Sequence, residues 1–189
     1  MEAFMPVSSR QRILPAGLML LSALLLSACA TAPGSDRERE SLRAKADQAL
    51  QTARYTDSTL APLLDSAKGY AVYPSVGKGG AGVGGAYGRG ILYENGVATG
   101  YTDLSQATIG FQLGGQKYTE ILVFNRQQAL DRFKFDELTF TSQATAVALK
   151  SGAGANARFK DGVAVFTFGE QGLMLEAAIG GQNFSYQPL

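Results

Sequence analysis

The sequence predicts an α+β domain in which helices come first and a mostly antiparallel, strongly curved, barrel-like β-sheet follows. Three observations support this prediction. Helical periodicity is confined to the residues before Gly69, the segments after Gly69 are rich in β-branched and aromatic residues, and pairs of glycines recur within those segments. Separation of helices from strands along the chain is typical of the α+β class, whereas regular alternation would indicate a parallel α/β sheet.

Two helices are expected before Gly69. Ser35-Asp36-Arg37-Glu38 has the pattern of a capping box, which begins a helix that runs to about Arg54. The apolar stripe of this helix has helical spacing and consists of Leu42, Ala46, Ala49, Leu50 and Ala53. A shorter helix is predicted from Leu60 to Ala67, with Pro62 in its first turn, where proline is tolerated.

The rest of the domain is predicted to be strands joined by tight turns, with one short helix. Asn95-Gly96 and Asp161-Gly162 are the strongest hairpin signals. Asn125 is expected to cap the short helix, which runs from Arg126 to Phe133 and turns Leu130 and Phe133 inward. The strand candidates are Tyr70–Tyr73, Ile91–Tyr93, Ser105–Leu113, Lys117–Phe124, Phe140–Lys150, Val163–Phe168, Leu173–Ile179 and Phe184–Tyr186.

A pattern of strand, glycine pair and aromatic residue occurs three times. Two copies are Phe111–Tyr118 and Ala177–Phe184, and Gly84–Tyr87 is a looser third. Glycines inside strands mark sharp bends or close approach of two backbones, and a neighbouring aromatic ring can cover the gap that a glycine leaves. The repetition therefore predicts a sheet that curves strongly enough to close on itself.

The first 28 residues have the order of parts found in a secretory signal peptide. Arg10 and Arg12 supply a positive region, an apolar run from Ile13 to Leu26 follows, and small residues lead to Cys29. The run is shorter than the roughly 20 apolar residues that a membrane-spanning helix needs. We therefore expect a signal peptide over residues 1–28, a polar tether over residues 29–35 and one domain over residues 36–189.

Leu26-Ser27-Ala28-Cys29 resembles the lipobox of bacterial lipoprotein precursors. In those proteins the cysteine thiol receives a diacylglycerol, the signal is cut before the cysteine, and the new amine is acylated. The resemblance implies a lipid anchor on Cys29. The next residue, Ala30, is not the Asp of many inner-membrane lipoproteins, which implies the periplasmic face of the outer membrane. The alternatives are an ordinary cleaved signal with a chance cysteine and an uncleaved N-terminal anchor.

The absence of histidine is the strongest chemical constraint in the composition. It excludes Ser-His-Asp and Cys-His nucleophile systems and the usual zinc and iron ligand sets, and it leaves carboxylate chemistry, Ser-Lys or Thr dyads, or an oxygen-ligated metal. We predict a protein that is not an enzyme and that needs neither a metal nor a cofactor. Removal of residues 1–28 takes away two of the 17 basic and one of the 16 acidic residues, which leaves 15 of each. This balance argues against nucleic acid as a partner. The single cysteine excludes an intramolecular disulfide.

Two motifs and one carboxylate suggest catalysis or nucleotide binding, but each has a structural explanation that we prefer. Gly80–Gly85 matches G-x-G-x-x-G, yet a dinucleotide site needs a helix to begin there, and the following residues disfavour one. Ser75–Lys78, Tyr93–Asn95 and Lys150–Gly152 match elements of penicillin-interacting serine enzymes, in which Ser and Lys share a helical turn that is not expected here. Glu176, in a predicted strand, is expected to make a structural hydrogen bond.

Several motifs in order resemble the SYLF domain. They are Ala67–Pro74, Gly82–Gly90, Ile109–Gly115 and Phe166–Met174, and the resemblance extends from about Ala44 to the end of the sequence. Eukaryotic members of that family bind phosphoinositides, some bind and bundle actin, and bacterial members include lipoproteins. The resemblance therefore implies a non-catalytic, lipid-facing module. The chain departs from the eukaryotic pattern because its first helix has a thin, alanine-rich apolar face, which is poorly suited to membrane insertion.

These observations together predict a lipoprotein whose domain binds anionic phospholipid head groups, including those of the phosphoinositide type. Lys68, Lys78 and Arg89 flank the glycine-rich stretch, where small residues leave backbone N–H groups accessible, and we predict that they contact the head group. Solvated loop charges are the alternative explanation for these three residues. The alternative function is a structural or protein-interaction module of the cell envelope without lipid selectivity, which would dock a protein partner through an open sheet edge.

Overall fold

A computed structural model describes residues 32–136, 138–140, 147–169 and 181–189. Three elements of the sequence-based prediction lie outside these residues. They are the signal peptide over residues 1–28, the lipidation site Cys29, and the strand predicted over residues 173–179, which contains Glu176.

Three helices lie among the described residues: α1 (Asp36–Thr56), α2 (Leu60–Ser66) and α3 (Gln127–Lys134). The capping-box pattern predicted the start of α1 correctly, since Ser35 Oγ accepts a hydrogen bond from Glu38 N at 3.3 Å. The predicted stripe is also confirmed, because its members are buried except for half-buried Leu42, which packs against the same core. No helix of the described residues is long and apolar enough to span a membrane.

The predicted cap of α3 is wrong. The N-cap residue is Arg126 rather than Asn125, and no side chain caps the helix. Asn125 instead donates its backbone N–H to Gly162 O at 3.1 Å, so the tertiary contact with the Asp161-Gly162 turn fixes the entry into α3. The inward-facing pair is confirmed, because Leu130 and Phe133 are both buried.

Six strands are seen in the described residues, and two of them form one very long hairpin. The strands are β1 (Gly69–Glu94), β2 (Val97–Phe124), β3 (Thr139–Phe140), β4 (Val147–Ala148), β5 (Val163–Gly169) and β6 (Gln182–Pro188). Asn95 (φ 51°) and Gly96 (φ 77°) make the predicted tight turn between β1 and β2. The strands predicted over residues 105–113 and 117–124 are parts of one strand, β2, which contains Gly114-Gly115, and Gly84-Gly85 lies within β1. The strand predicted over residues 140–150 is described only at its two ends.

The sheet is mixed and open in the part of the chain that the structure describes. Its order is β3-β6-β2-β5-β4, with β1 along the other side of β2. β5 pairs with residues 118–124 of β2 and β6 pairs with residues 100–106, both antiparallel, whereas β4 runs parallel to β5. The α+β prediction is confirmed. The barrel-like prediction is not confirmed, because these strands do not close into a barrel.

The long hairpin nevertheless folds back on itself, and glycines permit the close approach. A Cβ atom on Gly90 would lie 2.6 Å from Val72 O, and one on Gly88 would lie 2.9 Å from a Val76 methyl carbon. These residues are 12 to 18 positions apart in the same strand, so the two ends of β1 must pass close to each other. The hydroxyls of Tyr73 and Thr102 are 2.8 Å apart between the two halves.

Alternation along the strands produces two hydrophobic cores on opposite faces of the sheet. The first core lies between the halves of the folded hairpin and α3, and it contains Ala71, Tyr73, Leu122, Phe124, Leu130 and Phe133 among others. The second core lies between the other face and the first two helices, and it contains Leu50, Leu60, Val72, Ile91, Val123 and Phe166 among others. The apolar stripe of α1 is therefore fully used in packing against the sheet.

A buried carboxylate holds the loop over residues 150–157 against the junction of α1 and α2. Asp57 Oδ1 accepts hydrogen bonds from Thr59 N (2.9 Å), Thr59 Oγ1 (2.7 Å) and Gly152 N (3.0 Å), and Oδ2 accepts from Gly154 N (2.6 Å). Burial raises the pKa of Asp57, but these hydrogen bonds outweigh it and leave the pKa below its usual value. Asp57 is therefore a structural residue, and we call its carboxylate with these four hydrogen bonds the clamp.

Candidate binding groove

A groove of about 360 Å³ lies between the first half of α1 and β1. Its lining residues are Pro33, Arg37, Glu38, Ser41, Leu42, Lys45 and Arg89. Three cations and one carboxylate therefore line it, so the groove has a net positive charge although the domain as a whole is close to neutral. We call it the basic groove. An open cationic groove of this size suits a small anionic group rather than an extended polymer.

The helical repeat explains how α1 supplies one wall of the basic groove. Arg37, Ser41 and Lys45 are four residues apart, and side chains at this spacing form one row along a helix. This row lies beside the buried stripe of α1, with Leu42 at the boundary. Arg37 and Lys45 are exposed, so their charged ends remain available.

The strand β1 supplies the third cation, and its neighbours hold it in place. Arg89 Nε donates to Tyr87 Oη at 3.1 Å and lies 3.7 Å from Asp103 Oδ1 on the paired strand β2. The Tyr87 hydroxyl, with help from Asp103, raises the pKa of Arg89. Asp103 Oδ1 is buried without a hydrogen-bond partner in the described residues, and burial raises the pKa of that carboxyl. Arg89 is therefore positioned but not fully neutralised.

The basic groove adjoins the point where the chain enters the domain. Ala32 N donates to Gln187 Oε1 at 3.2 Å, and Arg39 Nε donates to Pro33 O at 3.1 Å. Both Ala32 and Pro33 are buried. Ala32 is thus fixed to β6 and Pro33 to the first turn of α1, and Pro33 itself lines the groove.

The structure does not bring the three predicted head-group residues together. Lys68 is exposed just before β1, where its N–H donates to Phe124 O at 2.8 Å. Lys78 is buried and lies on the strand face of Val76, which belongs to the first core. Arg89 lies on the opposite face and lines the basic groove. Arg89 lines this groove together with Arg37 and Lys45, and neither Lys68 nor Lys78 is among its lining residues.

The two enzyme-like motifs have strand geometry that does not suit their chemistry. Ser75 is exposed and Lys78 is buried, because residues three apart in a strand point to opposite faces. Gly80–Gly85 lies within β1, so no helix begins at those glycines. We find no group of His, Cys, Asp or Glu residues arranged to bind a metal ion within the described ranges.

A second groove, of about 610 Å³, lies further along α1. It is lined by Lys45, Gln48, Ala49, Thr52, Pro74, Ser75, Lys117, Thr119, Phe168 and Gly169. Lys45 lines both grooves, and Lys117 is the other cation here. The second groove is wider and has a lower density of charge than the basic groove, which makes it the weaker candidate for an anion.

A polar cluster is buried within the first core. Glu120 Oε2 accepts from Gln182 Nε2 at 3.1 Å, and the same nitrogen is 3.5 Å from Gln106 Oε1. Glu120 Oε1 and Gln182 Oε1 have no hydrogen-bond partner among the described residues. Burial raises the pKa of Glu120 to about 8, although Gln182 and Tyr118 act in the opposite direction. Glu120 therefore holds its proton at neutral pH, and it is enclosed too deeply to meet a large ligand.

Two features that sequence reasoning missed have recognisable signals. The row formed by Arg37, Ser41 and Lys45 could have been found from its four-residue spacing next to the apolar stripe. Glu120 has the same strand parity as Leu122 and Phe124, which places it on a buried face once β2 is recognised. The approach of Arg89 to α1 has no comparable signal, because it depends on how the helix packs on the sheet.

The fold and the groove define the chain as an α+β binding domain. Comparison with known proteins agrees: residues 105–187 match the Ysc84 family, described as "Las17-binding protein actin regulator". The chain is also 30% identical over 129 residues to Beta cell expansion factor A of Aeromonas veronii. That match covers 65% of this chain and 47% of the relative, so the chain spans about half the relative's length. These matches agree with the resemblance of its motifs to the SYLF domain, since the chain is similar to the Ysc84 family over residues 105–187.

Proposed function

We propose that this protein is a lipoprotein of the outer membrane, periplasmic face, whose domain binds anionic phospholipid head groups in the basic groove. The observation that carries the proposal is that Arg37, Lys45 and Arg89 line one groove, which Pro33 also lines. Pro33 follows Cys29 by only four residues, so an acyl anchor on Cys29 would keep the groove close to a lipid surface. Similarity to a family associated with lipid binding supports the same function.

The chemistry of the groove suits a phosphate or phosphodiester. Guanidinium groups can bind two oxygens of one phosphate at once, while the Lys45 ammonium adds a mobile point charge. Glu38, on the rim, disfavours a large excess of negative charge. Anchoring by Cys29 would raise the local concentration of lipid, so that a weak site could still be occupied. The role proposed here is binding, with no covalent step.

Co-flotation with liposomes tests the proposal. The soluble fragment of residues 30–189 is suitable, because residues 31–189 form one compact unit. We expect the fragment to float with vesicles that contain anionic lipid, to remain unbound with neutral vesicles, and to dissociate at high salt, since screening weakens exposed charge interactions. Binding to neutral and anionic vesicles alike would contradict head-group recognition.

A matched pair of triple variants tests the site. Arg37→Gln, Lys45→Gln and Arg89→Gln together remove the cations of the basic groove. Each basic residue near an anionic surface contributes about 1 kcal/mol, so we expect binding to anionic vesicles to weaken about tenfold or more. The control variant combines three exposed cations elsewhere, Arg126→Gln, Lys150→Gln and Arg158→Gln, and changes the net charge equally. Equal weakening in both would show a general charge effect and remove the groove assignment.

The alternative function, a protein-interaction module of the envelope, predicts a different result. The family description names a protein-binding activity for members of the family, and this supports keeping the alternative. In that case the fragment floats with neither kind of vesicle. Crosslinking through the groove then recovers one protein in stoichiometric amount, and the groove variant loses it while the control variant keeps it.

A further inference from the structure

Three large apolar side chains project into solvent at one end of the domain. Phe135 is 75% exposed, Val97 is 62% exposed and Leu189 is 59% exposed. Phe135 ends α3, Val97 begins β2, and Leu189 follows β6. We call these three residues the end patch. Side chains of this size are rarely left in water together unless the surface meets a partner.

A short chain of hydrogen bonds connects the three positions of the end patch. Glu94 Oε1 accepts from Lys134 Nζ at 2.8 Å and from Thr99 Oγ1 at 2.9 Å. Leu189 N donates to Thr99 O at 3.1 Å. Lys134 directly precedes Phe135, and Thr99 is two residues from Val97 along β2. These bonds connect the backbone segments that carry the three side chains, and they pair Lys134 with Glu94.

The chain enters the domain at this same end. Ala32 N donates to Gln187 Oε1 at 3.2 Å, and Gln187 precedes Leu189 by two residues. Ala32 follows Cys29 by three positions, and three residues at full extension span about 11 Å. If Cys29 carries a lipid, Ala32 must lie within about that distance of the lipidated cysteine, and its hydrogen bond to Gln187 holds the end of β6 beside it.

Tyr55 is a second exposed aromatic residue, and it lies elsewhere in the domain. It is 94% exposed, but it lies at the last turn of α1, 19 residues after Asp36. A helix rises 1.5 Å per residue, so Tyr55 is about 28 Å from the entry of the chain. Tyr55 is therefore far along α1 from the residues that follow the proposed anchor, and it serves as the reference position for an exposed aromatic side chain.

We infer that the end patch is the surface on which the domain rests on the bilayer, with Phe135 and Val97 entering the interface beside the anchor. The inference rests on the proposed anchoring at Cys29, and it adds the orientation of the domain. Aromatic and aliphatic side chains at the lipid boundary gain by burial of apolar area, independently of lipid charge. This contact requires no anionic lipid, and so it is separate from the basic groove.

The absence of tryptophan from the chain allows a direct test. Phe135→Trp, Val97→Trp and Tyr55→Trp each introduce a single tryptophan at an exposed position, and the last serves as the matched control. The chain from Cys29 onward is coupled through its only thiol to a maleimide-bearing lipid in phosphatidylcholine vesicles. Brominated phosphatidylcholine, which quenches tryptophan by contact, then reports which positions enter the bilayer.

We expect quenching of the Phe135→Trp and Val97→Trp proteins to be at least about twofold greater than that of the Tyr55→Trp protein. Equal, weak quenching at all three positions would overturn the inference, as would stronger quenching at position 55. Because coupling to the vesicle is chemical and the lipid is neutral, the result does not depend on natural acylation or on head-group selectivity. Failure of the basic-groove proposal would appear only in the flotation experiment.

Discussion

Two buried carboxylates in this domain, Asp57 and Glu120, have opposite pKa shifts, and the comparison shows what decides the sign. Burial raises the pKa of both groups. Asp57 accepts four hydrogen bonds from N–H and O–H donors, which stabilise the charged form and reverse the shift. Glu120 accepts one from Gln182 and leaves Oε1 without a partner in the described residues, so burial prevails. Two differences separate the carboxylates and act in the same direction: Asp57 has more donors, and Glu120 lies deeper in the protein, where burial raises its pKa more strongly.

The two sites also differ in what they contribute to the fold. Asp57 connects segments that are 97 residues apart, because its oxygens replace the water that would otherwise solvate the amides of Gly152 and Gly154. Glu120 joins β2 to β6 through one amide and keeps a proton that the unfolded chain would release at neutral pH. A charged clamp therefore stabilises the loop at neutral pH, whereas the neutral acid lowers stability there.

Loss of the clamp is expected to have the largest effect. Asp57→Ala removes the carboxylate that accepts four hydrogen bonds and leaves its donors without an acceptor. Loss of such a buried, charged partner lowers the free energy of unfolding by about 3–5 kcal/mol. Denaturant titration at neutral pH measures the loss. The control is Asp65→Ala, which removes an exposed carboxylate in a long 3.8 Å ion pair with Arg54 and should change stability by less than about 0.5 kcal/mol. Similar values for both variants would show that the clamp contributes nothing.

Glu120→Gln is expected to change the pH dependence of stability. The pKa of Glu120 is about 8 in the folded domain and about 4.5 when unperturbed, so the folded state keeps a proton that the unfolded state loses between these values. The free energy of unfolding therefore falls as pH rises through this window, by up to about 1.4 kcal/mol per pH unit. The variant should lack this decline and become more stable than the wild type near pH 8. Parallel pH profiles of the two proteins would contradict the assignment.

Asp57→Asn is expected to change the pH dependence of stability in the direction opposite to that of Glu120→Gln. The pKa of Asp57 is lowered by folding, so its contribution is present above the unfolded pKa and is lost as pH falls through the folded pKa. The variant should therefore be less stable than the wild type at neutral pH, and the difference should narrow only in acid. Chemical denaturation over the acid range measures it. A difference that persists unchanged down to the lowest accessible pH would show that the carboxylate is not charged in the fold.

Gly154→Ala tests the same clamp through geometry rather than charge, and we expect a smaller effect. A Cβ atom on Gly154 would lie 2.8 Å from the backbone of Thr59, so the loop must move and stretch its bond to Asp57. Overpacking of this kind costs about 1–3 kcal/mol. Gly115→Ala is the control, because its Cβ would be 3.8 Å from the nearest backbone oxygen, an ordinary contact. In thermal melts we expect a lower melting temperature for Gly154→Ala than for Gly115→Ala. Equal melting temperatures would show that the loop adapts freely.

The amino-acid sequence by itself determined the local elements. Ser35 caps α1, Asn95-Gly96 turns β1 into β2, and the alanine-rich stripe identifies the face of α1 that packs on the sheet. Each of these depends on residues within a few positions of one another. The resemblance to the SYLF domain likewise depended on ordered local motifs, and the family match confirmed it.

Only the tertiary structure decided which distant residues meet. Lys78 and Arg89 lie in one strand and Lys68 directly precedes it, yet strand alternation and the folding of the hairpin place the three residues in different environments. The same folding brings Arg89 to Arg37 and Lys45, and Gln182 to Glu120 across 62 residues. The physical reason is that residues within a few positions of one another supply the hydrogen bonds of a cap or a turn. The lining of a groove and the partners of a buried carboxylate come from elements that are far apart in the sequence, so only the packing of those elements brings them together.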